Sequence, residues 1–139
     1  MATIRRHVTR DVAALDASAP IREAARIMAE KKIGSVAVRE GGKIAGLVTE
    51  RDLVLSICGR GGDAGQPIRT AMRADLPRVS ATATETEVAS LMRDHTTRHL
   101  LVEDDGQVIG VVSMRDIIQL MLDEKQYVIE QLNVYIQGR

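Results

Sequence analysis

Two stretches of the chain carry the same run of chemically useful residues: Gly46-Leu-Val-Thr49-Glu-Arg51-Asp52 and Gly110-Val-Val-Ser113-Met-Arg115-Asp116. Each places a hydroxyl, a guanidinium and a carboxylate within four positions, where an apolar run ends. Two readings fit this spacing. In the first, Thr-x-x-Asp and Ser-x-x-Asp resemble capping boxes, whose hydroxyl and carboxylate satisfy free N–H groups of a helix's first turn. In the second, the glycine lets another group approach the backbone closely. The hydroxyl, the arginine and the helix N-terminus then suit a phosphate. The aspartate one turn in could accept hydrogen bonds from both vicinal hydroxyls of a ribose. Phosphate donors beside a ribose acceptor describe a nucleotide better than an inorganic anion.

Little else in the chain offers reactive chemistry. Catalysis would need a nucleophile with a base, a metal cluster or a paired set of carboxylates. Cys58 is the single cysteine, and no Cys/His spacing matches a zinc site. His7 and His95 have no partners in sequence, and His99 beside Leu100 has packing as its plain reading. Asp104-Asp105 falls at a turn and reads as solvated, while Met28, Met72, Met92 and Met121 read as core filler. The expectation is a non-catalytic chain with no metal. The 19 basic and 19 acidic residues cancel, which gives nucleic-acid binding no support. No apolar run approaches the ~20 residues that span a bilayer, and the N-terminus lacks a signal pattern, so a cytoplasmic protein is expected. With no Trp, no Phe and only two Tyr, the core must be aliphatic, and so must the walls gripping any planar ligand.

The doubled motif belongs to a larger repeat. A shift of 64 residues with no gaps gives 11 identities over the 40 positions from Leu15 to Val54, where average usage would give about two or three. The pairs include Glu23/Glu87, Met28/Met92, Val38/Val102, Gly42/Gly106, Gly46/Gly110, Arg51/Arg115 and Asp52/Asp116. Within each copy the apolar period changes in order. A helical stripe (Ile21 to Met28; Val88 to Met92) gives way to a strand (Ser35–Val38; His99–Val102). A Gly-bearing turn, a second strand (43–48; 107–112) and a second helix follow. A short leading strand is expected near Val12 and near Leu76. The expected division is 1–58 for the first repeat, 59–66 for a Gly-rich linker, 67–122 for the second repeat and 123–139 for an extra helix. Val128, Leu132 and Tyr135 lie at helical spacing in that last segment, which fits either packing onto the repeats or a dimer contact.

A doubled β-α-β-β-α unit ending in Gly-h-h-[Ser/Thr]-x-x-Asp, with h apolar, resembles a pair of cystathionine β-synthase (CBS) domains, the arrangement called a Bateman module. The resemblance covers about Thr3 to Leu122. It implies a mixed α/β (α+β) fold of two pseudo-symmetric repeats packed sheet to sheet, with two equivalent clefts between them. It also implies that each cleft takes an adenosine-containing ligand: AMP, ADP or ATP, with NAD(H) and S-adenosylmethionine as alternatives. Carried over, the first cleft would join Thr49, Arg51 and Asp52 to Val79, Thr82, Thr97, Arg98 and His99. The second would join Ser113, Arg115 and Asp116 to Asp16, Ser18, Ile33, Gly34 and Ser35. Because Arg98 and His99 correspond to Gly34 and Ser35, the first cleft is expected to be the more positive and the tighter. The resemblance implies a regulatory module that forms a homodimer and acts on a separate protein, with a ligand-free scaffold as the competing class.

Overall fold

The computed structural model describes residues 3–138. Each repeat builds one three-stranded sheet. In the first, β1 (Ala14–Asp16) pairs in parallel with β2 (Ser35–Glu40), which pairs antiparallel with β3 (Lys43–Thr49). In the second, β4 (Val79–Ser80), β5 (His99–Asp104) and β6 (Gln107–Ser113) repeat that order and those directions. Helices α1 (Ile21–Lys31) and α3 (Glu85–Asp94) are the crossovers. The hairpins turn at Gly41-Gly42 and Asp105-Gly106, where both central residues have positive φ, as a tight turn matched to strand twist requires. Both hairpins also carry a bulge at the same place, Val38/Arg39 and Val102/Glu103. The leading strands start a little later than expected from Val12 and Leu76.

Each repeat buries an aliphatic core between its sheet and helices, and each core is completed by the other repeat's leading segment. Ile4, in a 3-10 turn at Ile4–His7, is fully buried among Val88, Met92, Leu100 and Val112 of the second repeat. Its counterpart Ile68, in a 3-10 turn at Ile68–Thr70, is fully buried among Ile21, Ala24, Val36 and Val48 of the first. The backbones lock the exchange: Ile4 N–H donates to the Ala83 carbonyl at 2.9 Å and Ile68 N–H to the Ala19 carbonyl at 2.7 Å. A third layer joins the two sheets face to face through Ala37, Leu47, Leu101 and Val111.

The Gly-rich stretch between the repeats is tied down. The Ala64 and Gln66 carbonyls accept from the Arg22 and Ile21 N–H groups at 2.9 and 2.8 Å. They satisfy the first turn of α1, where Pro20 offers no side-chain cap. At the same place in α3, a capping box of Thr84 and Glu87 does that work.

The second helices diverge for a visible reason. In the first repeat α2 (Glu50–Leu53) widens into a π-helical turn, Val54–Gly59, and stops at the glycines. In the second repeat the positions equivalent to Gly59-Arg60-Gly61-Gly62 are Asp123-Glu124-Lys125-Gln126, which contain no breaker. The separate helix expected after residue 122 is therefore one continuous α4, Met114–Gln137. Its last part does not pack onto the repeats as one expectation had it: beyond Lys125 every described side chain is exposed.

Truncating either exchanged isoleucine leaves a cavity in the partner repeat's core. Ile4→Ala and Ile68→Ala should each lower the unfolding free energy by ~2–5 kcal/mol in urea denaturation, with the whole chain melting in one transition.

Candidate functional site

Strand ends, helix starts and leading segments converge at one edge of the paired sheets. Ser35 lies opposite Thr49, and His99 opposite Ser113, so the first residues of β2 and β5 meet the starts of α2 and α4. Two clefts open there. Cleft 1, of about 460 Å³, brings Thr49, Arg51 and Asp52 together with Thr97, Arg98 and His99. An adjoining hollow of about 540 Å³ shares Arg51, Asp52, Arg73 and Thr96. Cleft 2, of about 830 Å³, brings Ser113, Arg115 and Asp116 together with Ile33, Gly34 and Ser35. These volumes fall in the range typical of small-molecule sites.

Both capping boxes form. Asp52 Oδ2 accepts from Thr49 N–H at 2.8 Å, and Asp52 N–H donates to Thr49 Oγ1 at 3.3 Å. Asp116 Oδ2 accepts from Ser113 N–H at 2.8 Å and from its hydroxyl at 2.9 Å, while Asp116 N–H donates to Ser113 Oγ at 3.1 Å. The helix-capping reading is thus realised at both motifs. It occupies one carboxylate oxygen only. Oδ1 of each aspartate has no hydrogen-bond partner among the described residues, and both side chains line a cleft. Asp52 is only 3% exposed, and burial pushes its carboxyl above the usual carboxylate range against the bonds from Thr49 and the nearby Arg73 guanidinium.

Four expected lining residues lie elsewhere. Val79 is buried in the second repeat's core, and Thr82 sits in an exposed turn, bonded to Ser80. Asp16 and Ser18 bond to each other in the equivalent turn of the first repeat. Strand direction explains this. β1 runs parallel to β2 and places Asp16 opposite Arg39, four residues and about 13 Å past the cleft end at Ser35. The residues that reach the clefts lie upstream of the leading strands instead. They are Thr9, Asp11, Val12 and Ala13 at cleft 2, and Arg73 at cleft 1, with Asp75 in the adjoining hollow. The parallel order implied by a β-α-β crossover could have revealed them. Glu50 and Met114, at the motifs' variable position, also line both clefts.

Gly46 and Gly110 also play a different part from the one their motif suggested. A Cβ at Gly110 would collide with the Thr9 carbonyl, and one at Gly46 with the Met72 sulfur. What approaches these glycines is the leading segment of the chain itself, not a ligand.

The clefts share a wall. Gly34 stands against the His99 ring, with a Cβ there only 2.8 Å from Cε1, and Gly34, Glu50, Arg98, His99 and Met114 line both clefts. Arg98 and His99 therefore do not make cleft 1 the more positive. Arg73, which is special to that side, is taken up by Asp75 at 2.9 Å and by the His95 carbonyl at 2.6 Å. Each cleft keeps two guanidiniums without a protein partner among the described residues: Arg51 and Arg98 in one, Arg115 and Arg98 in the other. Burial lowers the His99 pKa below the ordinary histidine value, Arg98 adds to that, and the Glu50 and Asp116 carboxylates oppose it. No three or more described His, Cys, Asp or Glu residues gather as a metal site, and no described helix is long and apolar enough to cross a membrane.

Comparison with known proteins agrees with this architecture. The family profile described as "CBS domain" matches residues 4–59 and again 68–123. The CBS domain-containing protein YhcV of Bacillus subtilis is 27% identical over 117 residues, 84% of each chain. The mitochondrial CBS domain-containing protein CBSX3 of Arabidopsis thaliana is 28% identical over 124 residues, 85% of this chain but 60% of that longer protein. Among solved structures, a CBS-domain-containing protein from Agrobacterium tumefaciens superposes with a TM-score of 0.79 at 29% identity, covering 86% of this chain and 99% of that one.

With its folded pKa depressed, His99 binds fewer protons in the native state than when unfolded. Its contribution to stability is complete above the unfolded value near 6.5 and is lost as pH falls below it toward the lower folded value. Melting temperatures between pH 7.5 and 5.5 should fall more steeply for the wild type than for His99→Gln, and the His99 ring should titrate below 6.5 by NMR.

Proposed function

The chain belongs to the CBS-domain family as a pair of repeats, and on that premise we propose that it is a non-catalytic regulatory module whose clefts bind an adenine nucleotide, AMP, ADP or ATP. The observation that carries this reading is the free Oδ1 of Asp52 and of Asp116. Each carboxylate is fixed by the cap it makes, so its second oxygen meets a ribose diol without rearrangement. Beside each stand a helix N-terminus and an unpaired guanidinium, Arg51 or Arg115, suited to phosphate. Ile33, Val12 and Ala13 in cleft 2, and Met92 and Met114 in cleft 1, supply aliphatic surface for a base in a protein almost without aromatic rings.

A nucleotide here touches both repeats, so it favours one packing of the pair over others and shifts that population. The output passes to a separate protein partner in the cytoplasm. The larger volume of cleft 2 favours NAD(H) as the second ligand reading.

Differential scanning fluorimetry with AMP, ADP, ATP and NAD(H) tests the proposal. Saturation to about 100 times Kd stabilises by ~2.7 kcal/mol, an upward shift on the order of 10 °C. Asp52→Asn and Asp116→Asn, each compared with its own ligand-free melt, should lose most of the shift at one cleft, and Arg98→Ala should weaken both. No shift with any of the four compounds would sink the nucleotide reading and leave the ligand-free scaffold.

A further inference from the structure

The hollow that adjoins cleft 1 is shaped by the irregular end of α2. Leu55 and Arg60 both line it, although a regular helix would set residues five apart about 140° from each other. The π-helical turn Val54–Gly59 removes that offset. Arg60 N–H donates to the Leu55 carbonyl at 2.9 Å, a step of five residues that brings the two to one side. The chain then reverses at Gly61, whose φ is +71°, and Gly62 N–H donates to the Ser56 carbonyl at 3.0 Å. A Cβ on Gly62 would lie 2.7 Å from that carbonyl oxygen, so this corner requires the glycine. Arg60 is carried to the hollow by a backbone geometry that the linker's own residues impose.

Charge sorts the hollow's walls, which hold three guanidiniums (Arg51, Arg60, Arg73) and three carboxylates (Asp52, Asp75, Asp94). Arg73 is held by Asp75, Asp94 accepts from the Arg93 side chain at 3.1 Å, and Asp52 is engaged in its cap. Arg51 and Arg60 have no side-chain partner among the described residues. Two free guanidiniums on one concave wall suit the oxygens of a phosphate chain. The second repeat cannot repeat this arrangement. Its residue equivalent to Arg60 is Glu124, of opposite charge, within the continuous helix α4 and outside the walls of cleft 2.

We propose that the hollow is a subsite for the outer phosphates of a nucleotide held in cleft 1, and that Arg60 selects di- and triphosphates over a monophosphate there. The proposal rests on the nucleotide reading, in which Asp52 holds the ribose and Arg51 the first phosphate. Both residues line cleft 1 and the hollow alike, so a phosphate chain that continues past Arg51 enters the hollow and meets Arg60.

Isothermal titration calorimetry with AMP and ATP tests it, in an Asp116→Asn background that silences cleft 2. Arg60→Gln should weaken ATP binding ~10-fold, the worth of one charge-assisted contact, and change AMP binding less than about twofold. The ligand-free melting temperature should not move, because the Arg60 side chain has no partner to lose. ATP affinity unchanged by Arg60→Gln, or an equal loss for AMP and ATP, would overturn the subsite and leave the nucleotide reading standing. If neither nucleotide binds the wild type, the nucleotide reading fails instead, and inorganic tripolyphosphate is the probe. Binding of tripolyphosphate that Arg60→Gln abolishes would keep a phosphate site in the hollow. Absent binding, or binding that the variant leaves intact, would overturn it.

Discussion

The structure depends on each repeat being finished by the other. A three-stranded sheet with two helices leaves one open end in its core, and the side chain that closes it, Ile4 or Ile68, arrives from the segment leading into the other repeat. Small domains bury too little surface to spare such a plug. Neither repeat is then a complete folding unit. The third apolar layer, Ala37, Leu47, Leu101 and Val111, adds a face-to-face contact that requires both sheets at once. Because the crossing segments continue into the cleft walls, through Thr9 to Ala13 on one side and Arg73 on the other, what holds the pair together also builds the site.

The aspartates show that a structural and a binding role need not compete for a residue. A carboxylate has two oxygens, and closing the first helical turn engages one. The cap fixes the side chain's rotamer, so the remaining oxygen is presented without further loss of side-chain freedom. The two sites differ in how deeply that carboxylate is buried. Asp52 is buried beside the Arg73–Asp75 pair, while Asp116 is half-buried next to exposed Arg115.

Much of this was legible in the chain because the repeat is ungapped. The shift of 64 residues identified two copies, the period changes ordered their elements, and the doubled motif located the helix starts that face the clefts. The far ends of the leading strands were misplaced, since spacing alone does not say which end of a strand meets a cleft. Parallel pairing moved Asp16, Ser18, Val79 and Thr82 away and brought Asp11 and Arg73 in. The exchange of Ile4 and Ile68 was hidden for a different reason: the two residues share the repeat's offset, but a partner's core leaves no local signature. The merging of the last two helices could have been read from Asp123-Glu124-Lys125-Gln126, where the first repeat has its glycines.

The two clefts share one wall. Arg98 lines both, so on the nucleotide reading the two clefts share one guanidinium charge. His99 stands in the same wall. Its ring rests against Gly34, with no room for a methyl group between them. Glu50 N–H is bonded to the Gly34 carbonyl at 3.1 Å and Met114 N–H to the Arg98 carbonyl at 2.8 Å, which ties that backbone directly to the first turns of α2 and α4. Those are the turns that carry the two aspartates. Little more than His99 and Gly34 separates the two clefts.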